Sequence, residues 1–126
     1  MASTERIGTD PGGSMRAAVS TGIVQAMAHL YGRGPTKAKT YFNDEYVFCA
    51  MEDGLTPNEQ RLVAAGEEQL VRQYRLRFQE IVADELTSIV EQATGRRVVT
   101  YHSQILFHPT RLMEIFLLDG VPGTTS

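Results

Sequence analysis

The sequence predicts one α+β domain of two layers, ordered α-β-β-α-β-β, with a mainly antiparallel four-stranded sheet and a long second helix. Three observations carry this. Two stretches of strand character are each split by a turn motif, so the strands come as hairpins. A long helical pattern separates the hairpins, and a shorter one precedes them. The chain has 126 residues, the length of one domain, and its 42% hydrophobic content against 21% charged suits a packed core.

The elements follow in order. Residues 1–13 are polar and rich in small residues and read as a flexible N-terminal tail, ahead of a domain over 14–119. Ser14 is placed to cap a helix over Met15–Tyr31, on which Val19, Ile23, Ala26, Met27 and Leu30 form one apolar stripe. Gly32 sits where a glycine ends a helix, and Pro35 blocks continuation. Thr36–Phe42 and Tyr46–Glu52 then flank Asn43 and Asp44, residues that tolerate the positive φ of a tight hairpin turn. Val47, Cys49 and Met51 alternate with Tyr46, Phe48 and Ala50, so both faces of that strand are fairly apolar and it is expected to be central or packed on both sides.

Thr56 with Glu59 three residues on is a capping box, and Pro57 fits the first helical position. Helical character runs from there to Ala93, with Gly95 as the stop, along a stripe that includes Val71, Tyr74, Phe78, Ile81, Val82, Leu86, Ile89 and Val90. One unbroken helix of that length would reach ~55 Å, against a diameter of ~35 Å for a compact chain of this size. A break near Gly66 is expected, and also a homodimer that takes up the overhang. Arg97–Phe107 and Leu112–Leu118 form the second hairpin, with Pro109 in its turn. Residues 120–126 read as a flexible C-terminal tail.

The charge balance, −3 with a pI near 5.6, opposes broad binding to nucleic acid. No apolar run reaches the ~20 residues of a membrane span, and the first residues lack the apolar core of a secretory signal, so a cytoplasmic protein is expected. The single cysteine, Cys49, reads as a buried strand residue and supports neither a disulfide framework nor a multi-cysteine metal site. His29, His102 and His108 have no metal-ligand spacing, and His102 and Ser103, being adjacent on a strand, face opposite ways. No metal and no cofactor are expected.

"GRGP" at Gly32–Pro35 follows a helix and precedes a strand, the reverse of a phosphate-cradling loop, and a helix C-terminus repels anions. Its Arg33, with Arg72 and Arg75 on the long helix and Arg96 after it, is the candidate set for binding a ligand or partner. Gly32, Gly34, Pro35, Thr56, Glu59 and Gly95 are structural positions. The carboxylates Glu67, Glu68, Asp84, Glu85 and Glu91 lie spread along a helix and form no acid–base pair.

Several of these segments resemble the MpsC family of small bacterial proteins, across about Ser14–Leu118. The matching elements are G-[KR]-G-P at Gly32–Pro35, the helix start at Leu55–Glu59, the arginines Arg72 and Arg75, "TGR" at Thr94–Arg96 and "HS" at His102–Ser103. The chain departs at Gln104, where relatives more often carry aspartate. The resemblance implies a component of a sodium-translocating, membrane-potential-generating system, tied to ion or inorganic-carbon transport, and carries over no catalytic residues. Three functions are weighed. The first is a non-catalytic accessory or regulatory interaction protein, dimeric, at the membrane only through a transport-protein partner. The second is a small nucleotide- or nucleic-acid-binding regulator using the four arginines. The third is an enzyme using His102 with Cys49 or a carboxylate.

Overall fold

The computed structural model describes residues 11–124. The chain runs α1 (Pro11–Tyr31), β1 (Lys37–Asn43), β2 (Tyr46–Glu52), α2 (Pro57–Ala64), α3 (Glu68–Thr94), β3 (Val98–Leu106) and β4 (Arg111–Leu118). The strands form one antiparallel sheet in the order β1-β2-β4-β3, an α+β domain.

Local chemistry sets the joints. Helix α1 begins at Pro11, earlier than Ser14 predicts, so Ser14 lies inside the helix and only residues 1–10 of the expected tail fall outside the described residues. The helix ends where expected, with the Gly32 N–H on the Ala28 carbonyl at 3.0 Å. Asn43 pairs with Tyr46, leaving a two-residue turn in which Asp44 takes φ 54°. The capping box forms in full: the Glu59 N–H donates to Thr56 Oγ1 and the Thr56 N–H to Glu59 Oε1. The predicted long helix breaks at Gly66, whose φ of 82° a side chain would oppose, so the helical stretch becomes α2 and α3. Gly95 closes α3 in the left-handed conformation at φ 73°.

Helices α1 and α3 pack on one face of the sheet. Val19, Ile23, Ala26 and Met27 of α1, and Val71, Val82, Leu86 and Val90 of α3, meet Val47, Cys49 and Met51 of β2 and Leu112, Phe116 and Leu118 of β4. The predicted stripe on α3 needs correction at three positions. Tyr74 and Ile81 are 52% and 69% exposed, and Arg75 takes the buried place instead. At 100° per residue, Val71, Arg75, Phe78, Val82 and Leu86 share one side, while Ile81 lies a full residue step away. In the C-terminal segment the Gly123 N–H donates to the Thr94 carbonyl at 2.8 Å, and Arg96 donates to the Thr124 carbonyl.

Among the described residues no helix packs on the other face of the sheet. Its side chains follow from the pairing register as four rows across β1, β2, β4 and β3. They are Lys37, Glu52, Arg111, Leu106; then Lys39, Ala50, Met113, Gln104; then Tyr41, Phe48, Ile115, His102; then Asn43, Tyr46, Leu117, Thr100.

Candidate functional site

Two polar clusters lie between the sheet and the helices. The first is centred on Arg75. Its Nε and Nη2 bond Glu59 Oε2 at 2.8 Å and Oε1 at 2.6 Å, a two-pronged pair with both side chains buried. Nη2 also donates to the Gly54 carbonyl at 3.0 Å, and the guanidinium lies 3.8 Å from the centre of the Tyr31 ring. Burial alone pushes the Glu59 carboxyl up; the Arg75 guanidinium and the Thr56 N–H outweigh it and hold Glu59 below the usual carboxylate range. Burial also raises the Tyr31 phenol to about 12.

The second cluster is a polar row across the inner face of the sheet. Register places Thr40, Cys49, Glu114 and Ser103 side by side on four strands. Ser103 Oγ donates to Glu114 Oε2 at 3.0 Å, and the Tyr101 hydroxyl donates to Oε1. Burial pushes the Glu114 carboxyl up to about 7, against the opposing pull of those two hydroxyls and of Arg75. Burial likewise lifts the Cys49 thiol to about 11, so it is held as a neutral thiol.

A cavity of about 20 Å³ separates the clusters, bordered by Tyr31, Arg75, Gln79, Ser103 and Glu114. It has room for one water-sized molecule, whereas organic ligands occupy ~300 Å³ or more. Among the described residues no buried side-chain nitrogen or oxygen lacks a hydrogen-bond partner. These are the bonds of a satisfied core.

The four candidate arginines all bond to their own chain. Arg33 donates to the carbonyls of Asp53 and Leu55 and pairs with the Asp53 carboxylate at 2.9 Å. Arg75 takes Gly54 between them, so Arg33 and Arg75 share one turn. Arg72 donates to the Ile105 carbonyl at 2.6 Å and lies over the Phe107 ring. Arg96 pairs with Asp119 at 2.9 Å, at the far end of α3. His102 is exposed on the open sheet face, and Ser103 and Cys49 point to the inner face. The alternation of β4 would have revealed Glu114: Leu112, Phe116 and Leu118 share its face.

The surface feature that remains is the open sheet face. Tyr41, Phe48, Ile115, Tyr46, Leu117, Ala50 and Met113 adjoin one another there, rimmed by Lys37, Lys39, Glu52, Arg111 and His102. Ala50 lies in a hollow of about 340 Å³ bordered by Lys37, Lys39, Glu52 and Arg111. A second apolar strip, Leu70, Tyr74 and Ile81, is exposed along α3.

Among the described residues no helix is long and apolar enough to cross a membrane. No curated protein and no solved structure matches the chain. Residues 12–120 match the family model described as "Na+-translocating membrane potential-generating system (MpsC)", so the chain belongs to the MpsC family.

Proposed function

We propose that the chain is a non-catalytic accessory or regulatory protein of a membrane-potential-generating system, acting as a homodimer that reaches the membrane through a transport-protein partner from the cytoplasm. The observation that carries the interaction role is the open sheet face, whose aromatic and aliphatic centre is ringed by charge. Contiguous apolar surface of that kind marks interaction sites. Family membership supplies the membrane system. The bonding of Arg33, Arg72, Arg75 and Arg96 supports the same reading, because their guanidinium groups brace the fold.

Affinity purification of a tagged chain from native membranes tests this. Recovery of a multi-span membrane protein, in amounts comparable to the bait, is the expected result. Recovery of none across several growth conditions overturns it.

A further inference from the structure

The open sheet face is complementary to itself. A two-fold axis lying in the plane of that face, parallel to the strands and midway between β2 and β4, preserves the rows and reverses the strand order. It sets β2 over β4 of a second copy, and β1 over its β3. Glu52 then meets Arg111 of the second copy, and Arg111 meets its Glu52. Ala50 meets Met113, the smallest side chain of the face against a long flexible one, and the hollow over Ala50 receives it. Phe48 meets Ile115 and Tyr46 meets Leu117, while Lys39 on the rim meets Gln104. No like charges are stacked.

The other in-plane axis, across the strands, inverts the rows. It would set Glu52 over Tyr46 and Arg111 over Leu117 of the second copy, so the Glu52–Arg111 pair of each copy would face apolar side chains and no charge pair would form between the copies. The pattern of the face thus selects one arrangement. Aligned sheets pack with their strands within ~30° of each other, which keeps the central rows in register.

The area agrees. Strands ~4.8 Å apart, with same-face side chains ~6.7 Å apart along each, give this face about 500 Å² per copy. Two copies bury about 1,000 Å², the lower bound for a specific interface.

We propose that a second copy of this chain covers the open sheet face in that two-fold arrangement, forming a four-layer dimer with the helices outermost. This rests on the homodimer reading above and assigns its surface. The strip Leu70, Tyr74 and Ile81 on α3 stays uncovered.

Sedimentation velocity of the full chain from 1 to 100 µM tests it. The wild type is expected at twice the 14.0 kDa chain mass. Ala50→Arg fills the hollow and should weaken the dimer at least 100-fold. Glu52→Arg and Arg111→Glu alone should each weaken it at least tenfold, and the double exchange should restore it. Urea unfolding of each variant checks that the monomer is folded, and the exchange series decides if Ala50→Arg is not. A dimer indifferent to all four variants overturns this surface and leaves the homodimer reading standing. A wild type that stays monomeric overturns both.

Discussion

Arg33 and Arg75, from the turn after α1 and the N-terminal third of α3, grip the same three-residue turn. Arg33 holds the carbonyls of Asp53 and Leu55, and Arg75 holds Gly54 between them. The turn leads directly into the capping box of α2, whose Glu59 returns to Arg75. Two arginines that look like a ligand patch in the sequence therefore join α3 and the end of α1 to the end of β2.

Removing Arg75 leaves Glu59 buried and unpaired. Breaking a buried pair from one side costs ~3–5 kcal/mol. Arg75→Ala should lower the unfolding free energy by about that much in urea at pH 7. Replacing both partners, as Arg75→Met with Glu59→Gln, should lose less than Arg75→Ala. A loss below ~1 kcal/mol for Arg75→Ala would mean that the pair is not buried as described.

Arg33 is about one-third exposed, so its bonds are partly screened by water. Arg33→Ala should cost ~1–2 kcal/mol, mostly through the lost carbonyl contacts. Thermal unfolding of the variant checks this. An unchanged midpoint would return Arg33 to the role of a displayed charge.

Glu114 makes stability depend on pH in a direction opposite to most carboxylates. Its folded carboxyl titrates at about 7, and an unfolded one near 4.5. Between those values the folded chain binds more protons than the unfolded one, so stability falls as pH rises. The contribution is complete below about pH 4.5 and lost as pH passes about 7. Glu114→Gln keeps the shape and removes the titration. Its stability relative to wild type should rise by ~2–3 kcal/mol between pH 4.5 and 8. A difference constant over that range would contradict the burial of Glu114 as a charge.

Cys49 should be inert in the folded chain. A thiol raised from 9.0 to about 11 and fully buried offers little thiolate at pH 7.5. A thiol-reactive chromophore should label it only on the timescale of unfolding, and within seconds in denaturant. Rapid labelling of the native chain would place the sulfur at the surface.

Much of this architecture is legible in the sequence because its signals are local. Thr56 and Glu59 meet within one turn, Gly66 and Gly95 act through their own φ, and Asp44 turns its own hairpin. The polar interior is less legible because it depends on pairing between distant segments. Arg75 interrupts the apolar stripe Val71, Phe78, Val82, and only the position of Glu59 explains why it can be buried there. Glu114 stands among Leu112, Phe116 and Leu118, but its partners Tyr101 and Ser103 come from β3. The open sheet face needs the strand order β1-β2-β4-β3, which no single strand specifies.

Membrane recruitment tests the central claim most directly. A tagged chain is quantified on native membranes stripped of loosely bound protein. The chain should remain bound with a multi-span membrane protein in near-equal amount. Wild-type chain released entirely with the wash, with no membrane protein recovered, would contradict a role as an accessory of a membrane system.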